Sequence, residues 1–157
     1  MVGGILSAGP DRLTAAAAGG VPQVVSVGAT DMVNFGPRKS VPETFADRQF
    51  HIHNATVTLM RTTAEENAAL GKEIAEKVSR STGPAAMLLP RHGVSAIDGA
   101  GQPFDDLTAR EALFSAVRDN AGPMDVIEMD CHINDPQFAA AAANKLLELI
   151  RQTAPTS

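Results

Sequence analysis

The sequence predicts an α/β fold of three layers, in which a mostly parallel sheet of about four strands carries helices on both faces. Short runs of β-branched and apolar residues alternate with segments of helical periodicity, which is typical of βα units. The 157 residues are 44% apolar, enough to bury the core of one domain. We therefore expect a single Rossmann-like domain over residues 1–151 and a frayed tail over residues 152–157.

The elements of the first half are predicted from glycine, proline and apolar runs. After the apolar GGIL at residues 3–6, a helix is expected from Pro10 through an alanine run to a Gly-Gly pair. Proline favours the first helical position, and glycine breaks helices. VPQVVSVG at residues 21–28 is predicted as a buried strand. Residues 29–54, rich in Pro, Asn and Asp, are predicted as a long loop, which in a compact domain is usually functional or mobile.

A capping box marks the next helix. Thr63 is followed three residues later by Glu66, so two backbone N–H groups at the helix start can be satisfied reciprocally, and the helix is expected to continue to about Ser81. AAMLLP at residues 85–90 is then predicted as a strand. The glycine-rich stretch 91–106 follows it as a second loop.

The last third repeats the same alternation. Thr108 and Glu111 have capping-box spacing and are expected to open a helix, and MDVIEMDC at residues 124–131 is the last predicted strand. The Asp135–Pro136 pair should begin the final helix, with Asp135 as its N-cap, and capping alone explains that aspartate. The helix is expected to end near Arg151.

Polar side chains follow three of the predicted strands. In an open parallel sheet the carboxyl ends of the strands share one edge, and ligands bind in the crevice outside it. The expected site comprises Asp31 and Asn34 after the first strand, His92, Ser95, Asp98 and Gln102 after the second, and His132, Asn134 and Asp135 after the third. The segment that approaches the capped helix is expected to add His53, Asn54, Arg61 and Thr62.

Arg61 is the candidate anchor of this site. It ends an apolar run just before a helix start, where a guanidinium and helix-start amides can hold a phosphate or carboxylate. On this hypothesis, Arg61→Ala weakens anion binding by about 1.5–3 kcal/mol and barely changes stability. The alternative is a structural pair between Arg61 and an acid of a loop. His53 and His132 are the candidate acid or base groups, and no catalytic residue or reaction is assigned.

Motifs for metal and nucleophilic chemistry are incomplete. His51 and His53 would share one face of a strand, but no neighbouring cysteine or H-E-x-x-H pattern supplies further ligands, so no metal site is predicted. GVSAIDGAG, which contains Ser95, matches neither the nucleophile elbow nor the P-loop. Its glycines are expected to serve tight turns.

Composition excludes several classes of partner. The net charge is −5, the sequence contains no Trp or Tyr, and no basic run is present, which argues against nucleic acid and anionic membrane surfaces. Cys131 is the single cysteine, so the chain suits a reducing compartment. MVGGILSAG lacks the features of a signal peptide, and no apolar run approaches the roughly 18 residues needed to span a bilayer. We therefore expect a cytoplasmic location.

Four blocks carry a resemblance to a known family: GVPQVVSVGATDMVNFG, HNATVTLMRTTAEEN, GVSAIDGAGQPFDD and HINDPQFAAAAA. In order and spacing they resemble the bacterial and fungal proteins similar to the tomato mosaic virus resistance protein, which are named Tm-type ATP-binding-domain proteins. The resemblance runs from Gly3 to about Arg151. It implies Rossmann-type lobes, of which this chain is similar to the later part of the second, C-terminal lobe.

The resemblance limits what can be carried over. The nucleotide site of the family is tied to the N-terminal lobe, so no residue here inherits ATP binding and the cofactor stays unknown. Most relatives have a small or acidic residue where this chain has Arg91-His92, which argues against a catalytic role for His92.

Two function classes remain open. In the first, the lobe contributes to a cleft for a small polar or anionic metabolite; in the second, it is a non-catalytic assembly or regulatory module. About four parallel strands leave an unshielded sheet edge and apolar surface near residues 3–6, which a second copy or the missing N-terminal lobe would cover. A homodimer is the expected state, because a two-fold contact buries both edges at once.

Overall fold

The structure is a computed structural model that describes residues 2–153, and it contains two three-stranded sheets. One is parallel, with strand order β1-β5-β6, and the other is antiparallel, with order β2-β4-β3. The strands are β1 (Gln23–Ser26), β2 (Met32–Phe35), β3 (Phe50–Asn54), β4 (Val57–Arg61), β5 (Ala85–Pro90) and β6 (Asp125–Met129). The helices are α1 (Thr14–Ala18), α2 (Ala64–Ser79), α3 (Leu107–Asn120) and α4 (Pro136–Thr153).

The parallel sheet forms the middle of three layers. Successive side chains of a strand point to opposite faces, so Met87 and Leu89 of β5 pack under α2 and α3, whereas Leu88 packs with Phe138 of α4. All three β5 side chains are fully buried because β5 is the central strand. The predicted α/β fold with helices on both faces of a parallel sheet is thus confirmed, although this sheet has three strands and not about four.

The antiparallel sheet was not predicted. Residues 29–54, expected to be a long loop, contain β2 and β3, and both pair with β4: Met32 lies opposite Arg61, and Phe50 lies opposite Met60. Each of these strands has only four or five residues. β2 is stabilised by pairing with β4, which is distant from it along the chain, and such pairing leaves no local signal among the surrounding prolines and aspartates. β3 and β4 are neighbours along the chain and form a hairpin through Ala55 and Thr56, which the sequence analysis missed.

The N-terminal residues lie against β2. The amide of Ile5 donates to the carbonyl of Asn34 at 2.8 Å. Gly4 makes this close approach without a collision, since a Cβ there would lie 2.6 Å from Cγ1 of Val33. The first helix begins at Thr14, four residues later than the Pro10 start predicted, because Leu13 before it adopts a left-handed conformation with φ 71°.

The helix starts were predicted unequally well. The capping box of α2 is present, with Thr63 and Glu66 exchanging both hydrogen bonds. The expected capping box at Thr108 is wrong, because Asp106 lies in an extended conformation just before α3 and its carboxylate accepts the amide of Ala109. A side chain two residues earlier therefore accepts one of the free amides at the helix start.

The last helix starts at Pro136 as predicted and continues to Thr153, two residues beyond the predicted end. Gln152 and Thr153, expected to be frayed, are helical, and the rest of the predicted tail, residues 154–157, lies outside the described residues. Neither α4, with its 18 residues, nor any other helix in the described part of the chain is long and apolar enough to cross a membrane.

Candidate functional site

The loops that follow β1, β5 and β6 meet at the carboxyl edge of the parallel sheet. Ser95 Oγ donates to Asp31 Oδ2 at 2.7 Å, and His132 Nε2 contacts the Ser95 carbonyl at 2.8 Å. The Ala29 amide donates to the Val94 carbonyl at 2.9 Å, which also joins the first two loops. The structure thus brings together three of the polar residues that the parallel-sheet argument placed at one edge.

Arg61 lies below this edge and is buried, with 5% of its surface exposed. Its Nη2 donates to Asp98 Oδ1 at 2.9 Å, and its Nε donates to the Phe104 carbonyl at 2.9 Å. Its Nη1 reaches the Asp31 carbonyl at 3.2 Å and Thr62 Oγ1 at 3.0 Å. The guanidinium is therefore surrounded by protein acceptors, which is the structural pair with a loop acid that the sequence left as the alternative.

A second buried arginine completes the charge pairing. Arg110 Nη1 lies 3.0 Å from Asp98 Oδ2, and its Nη2 lies 3.2 Å from Asp105 Oδ1. Asp98, fully buried, also accepts the Val94 amide at 3.0 Å, so one carboxylate serves two guanidiniums and one amide. The sequence reasoning missed Arg110. A cation in the first turn of a helix opposes the helix dipole, and that mismatch is the signal that could have marked it.

Two neutral side chains extend this group. Thr62 Oγ1 donates to the Thr30 carbonyl at 2.8 Å and accepts Asn67 Nδ2 at 2.7 Å. Asn67, also missed from the sequence, makes a second bond from Nδ2 to the Thr63 carbonyl at 2.8 Å. We call this group the buried network. Its members are Arg61, Thr62, Asn67, Asp98 and Arg110.

Asp31 lies beside the buried network and is less well satisfied. Its Oδ2 accepts Ser95 Oγ, but its Oδ1 is buried and has no hydrogen-bond partner among residues 2–153. Burial raises the pKa of the Asp31 carboxyl, and the charge of Asp98 raises it further. The hydrogen bond from Ser95 and the charge of Arg61 lower it, but the net result is a raised pKa. The carboxyl therefore retains its proton to a higher pH than an exposed aspartate does.

His132 is held in one orientation by the neighbouring loops. Its Nδ1 accepts the Asn134 amide at 3.1 Å, so in the neutral ring the proton is on Nε2, which donates to the Ser95 carbonyl. A Cβ on Gly93, whose φ is 136°, would lie 2.7 Å from His132 Cδ2. Asp135 Oδ2 accepts the His132 amide at 2.8 Å, and no amide of α4 in the described chain donates to that carboxylate, which corrects the predicted side-chain cap.

Five other predicted site residues lie at the surface. His53 and Asn54 are exposed at the end of β3, where Asn54 pairs with Val57. Val57 is four residues along β4 from Arg61, a separation of about 14 Å at 3.4 Å per residue. Gln102 and Asn134 are exposed, and His92 pairs at the surface with Asp130 at 2.9 Å. The structure does not bring these five polar residues into one group with Arg61, and a ligand role for them stays a prediction.

Asn34 lies in a different place, in a cleft between the N-terminal segment, β2 and the loop after β1. The cleft has a volume of about 380 Å³. We call it the N-terminal cleft. Its polar lining residues are Ser7, Arg12, Thr30, Asn34 and Thr62, its larger apolar ones are Leu6, Met32, Val33 and Leu70, and Val2, Gly3, Gly4 and Ala29 complete it.

The polar groups of the N-terminal cleft are used differently from those of the buried network. Within residues 2–153, the side chains of Ser7, Arg12 and Asn34 make no hydrogen bond or ion pair. Two non-glycine residues with positive φ adjoin the cleft, Ala29 at 58° and Leu13 at 71°. Strain of this kind concentrates at functional sites. Sequence reasoning missed Arg12, which looks like a surface residue ahead of an alanine run.

The remaining chemistry at these sites is limited. Within residues 2–153, no group of three or more His, Cys, Asp or Glu side chains is arranged to hold a metal ion. Cys131 is buried against Leu88 and Phe138 under α4. Ser95 and His132 do not form a nucleophile–base pair: the Ser95 hydroxyl donates to the Asp31 carboxyl, His132 Nε2 contacts the Ser95 carbonyl, and His132 Nδ1 accepts the Asn134 amide.

Comparisons with known proteins place the chain in an uncharacterised group. Residues 1–150 match the model described as "Uncharacterised protein family (UPF0261) C-terminal domain". The chain is 49% identical over 154 residues to a UPF0261 protein of Clostridium tetani, a match that covers 97% of this chain and 38% of that protein. It is 47% identical over 143 residues to a UPF0261 protein of Rhizobium meliloti, covering 89% of this chain and 36% of that protein.

A plant relative supports the resemblance given by the sequence blocks. The chain is 39% identical over 152 residues to the ToMV resistance protein Tm-1(GCR237) of Solanum lycopersicum. This match covers 95% of this chain and 20% of that protein. The predicted relationship to the tomato mosaic virus resistance proteins is confirmed at the level of the family. The chain spans less than two fifths of the length of these relatives.

Proposed function

We propose, on the premise that this chain belongs to the UPF0261 C-terminal domain family, that it is a ligand-binding lobe whose N-terminal cleft takes a small anionic molecule. The observation that carries the proposal is Arg12, an arginine that lines the cleft and whose side chain has no ion-pair or hydrogen-bond partner among residues 2–153. The proposal assigns no reaction and no nucleotide.

The cleft has the composition of a small-molecule site. Such sites are concave, largely apolar and provided with a few polar groups that fix the ligand. Here Arg12 supplies the charge, and the half-buried Asn34 and the hydroxyl of Ser7 supply neutral hydrogen-bonding groups. A guanidinium holds a carboxylate or phosphate through parallel N–H bonds.

Arg61 is a poorer anchor than Arg12 for the same ligand. An anion that bound Arg61 would have to displace Asp98, which is fully buried and would then lose part of its charge compensation. Breaking a buried ion pair in this way costs several kcal/mol, about 3–5 kcal/mol when one partner is removed. Arg12 is exposed, and binding to it breaks no such pair.

The proposal is tested by titrating the chain with inorganic phosphate, acetate and succinate. Binding is followed by calorimetry and by amide chemical shifts, and we expect the shifts to map to Gly4, Arg12, Thr30 and Asn34. Arg12→Ala should weaken binding at least tenfold, because charge-assisted hydrogen bonds contribute about 1.5–3 kcal/mol. Arg80→Ala, at an exposed arginine just after α2, is the matched control and should leave affinity unchanged. Equal weakening by both variants would refute the proposal.

The second candidate is an assembly module, favoured by apolar side chains on the surface. Leu147 and Ile150 are half exposed on the outer side of α4, and Ile5 is 61% exposed near the N-terminal cleft. β1 is also an edge strand of the parallel sheet. Exposed apolar patches and open edges favour association, and a homodimer would bury both.

Light scattering over a wide dilution series tests this second candidate. We expect a dimer at micromolar concentration that becomes monomeric in the variant Leu147→Asp with Ile150→Asp. The matched control is Glu148→Asp, which changes an exposed residue of the same helix without adding charge. A monomer at all concentrations in the unchanged chain would exclude self-assembly.

A further inference from the structure

We infer that the ligand of the N-terminal cleft is a monocarboxylate with a short apolar chain, an inference that rests on the proposed function. The cleft combines one cationic side chain with a wall of apolar side chains. An amphiphilic anion matches both features at once.

The charge of the cleft matches one negative charge. Arg12 is the sole charged side chain among the described residues that line it. The planar guanidinium presents parallel N–H groups that fit the two oxygens of a carboxylate. A second anionic group would face neutral side chains such as Ser7 and Asn34, which cannot replace its hydration in full. A dicarboxylate is therefore disfavoured relative to a monocarboxylate of equal length.

The apolar part of the cleft lining is suited to a hydrocarbon chain. Leu6, Met32, Val33 and Leu70 line the cleft, and Leu6 is 71% exposed. Leaving Leu6 in water has a cost that contact with an apolar ligand would remove, because burial of apolar surface is favourable. Methionine adapts its shape to ligands of different form, so Met32 can follow a chain of variable length.

The polar groups deeper in the cleft reinforce this assignment. Thr62 lines the cleft, but its hydroxyl donates to the Thr30 carbonyl and accepts bonds from Arg61 and Asn67. Thr30 Oγ1 likewise donates to the Val27 carbonyl. The O–H groups of both threonines therefore donate within the protein and are not free to donate to a ligand. A ligand rich in acceptor oxygens, such as a phosphate or a sugar acid, would find few donors beyond Arg12, Ser7 and Asn34.

The volume bounds the size of the ligand. At about 380 Å³ the cleft lies at the small end of ligand sites, which run from about 300 to 1,000 Å³. It therefore suits a short chain and not a long fatty acid. Affinity should rise with each methylene group until the cleft is full and then stop rising.

The test is a calorimetric titration of the chain with acetate, butyrate, hexanoate and octanoate. Adipate, hexanol and inorganic phosphate are titrated in parallel, and amide shifts locate each site. We expect the dissociation constant to fall by up to about fourfold per added methylene, the factor that corresponds to about 0.8 kcal/mol. Hexanoate should bind at least tenfold more tightly than adipate, phosphate or hexanol.

Three variants separate the contribution of the ligand's carboxylate from that of its hydrocarbon chain. Arg12→Ala should weaken acetate and hexanoate by the same factor, because each loses the same carboxylate contact. Leu6→Gln should weaken hexanoate and leave acetate unchanged. Leu147→Gln is the matched control for Leu6, since it also changes an exposed leucine, on α4, and should affect neither ligand.

Each outcome bears on the inference or on the function beneath it. Binding of phosphate or adipate in preference to hexanoate, with loss in Arg12→Ala, would overturn the monocarboxylate and leave the anion cleft standing. Hexanoate binding that does not respond to Arg12→Ala, or that maps to α4, would also overturn the inference. Absence of binding by every anion at millimolar concentration would overturn the proposed function as well.

Discussion

The buried network and the N-terminal cleft each contain an arginine, and Thr62 belongs to both. Arg61 is 5% exposed and has acceptors around all three of its nitrogen atoms, whereas Arg12 is exposed and has none among residues 2–153. One arginine thus stabilises the fold, and the other is available to a ligand. The two side chains are of the same type, and they differ in how many hydrogen-bond and ion-pair partners the protein provides for them.

We expect replacement of Asp98 to cause the largest change in the free energy of unfolding. Asp98→Ala leaves the guanidiniums of Arg61 and Arg110 buried without their shared carboxylate. We expect the free energy of unfolding to fall by about 3–5 kcal/mol, as for other buried pairs that lose one partner. Urea denaturation measures this change. Asp47→Ala, at an exposed aspartate, is the control, and a loss below about 1 kcal/mol in Asp98→Ala would show that the network contributes little to folding.

Much of the fold could be predicted from the sequence, because the signals of the parallel layer are local. The run AAMLLP has the unbroken apolar pattern of a buried central strand, and Thr63 with Glu66 forms a cap within four residues. The antiparallel sheet could not be predicted in this way. β2 and β3 are short and are stabilised by β4, and the intervening prolines resemble those of a loop.

The site shows the same division. The meeting of Asp31, Ser95 and His132 at one sheet edge follows from the rule that parallel strands share their carboxyl ends. The pairing of Arg61 with Asp98 does not, because it depends on the position of the antiparallel sheet over the loop after β5. Arg12 could not be found either, since its role depends on where the N-terminal segment lies against β2.

Thr62 sharpens the comparison because it touches both regions. Thr62→Val keeps the shape of the side chain and removes the hydroxyl that binds Arg61, Asn67 and the Thr30 carbonyl. We expect a loss of about 1–3 kcal/mol in the free energy of unfolding, the cost of leaving buried polar groups unsatisfied. Anion affinity should stay nearly constant, since that hydroxyl is already engaged within the protein. Thr108→Val, at an exposed threonine, is the control; a large loss of affinity in Thr62→Val would instead make the hydroxyl a ligand contact.

Replacing Asp31 by asparagine should have a smaller effect on the free energy of unfolding, of opposite sign, and this effect should depend on pH. Its folded-state pKa is raised, chiefly by burial, so the protonated form is favoured in the folded protein. The associated stability is fully present below the unfolded pKa and is lost as the pH rises through the folded pKa. Asp31→Asn stays neutral, so it should avoid this loss and gain stability relative to the unchanged chain as the pH rises.

Urea denaturation between pH 3 and pH 8 measures that gain. At the acid end the two proteins should unfold with similar free energies, and the difference should grow with pH until Asp31 is ionised. Asp11→Asn, at an exposed aspartate, is the control for the loss of one charge. We expect no destabilisation by Asp31→Asn at neutral pH, because Arg61 already has a carboxylate partner in Asp98. If Asp31→Asn did destabilise the protein at neutral pH, Arg61 would also need the ionised carboxylate of Asp31.

Arg12 gives the smallest expected change in stability, and the contrast with Arg61 is the sharpest form of the comparison. Arg12→Ala removes an exposed side chain with no partner among residues 2–153, so the free energy of unfolding should change by less than about 0.5 kcal/mol. Arg61→Ala, expected from the sequence to be neutral for folding, should destabilise strongly, because it leaves Asp98 buried with half of its charge compensation gone. Urea denaturation and acetate titration of both variants measure the contribution of each arginine to stability and to anion affinity. If Arg12→Ala lost stability and kept its affinity for acetate, Arg12 would be part of the fold and the N-terminal cleft would lose its anchor.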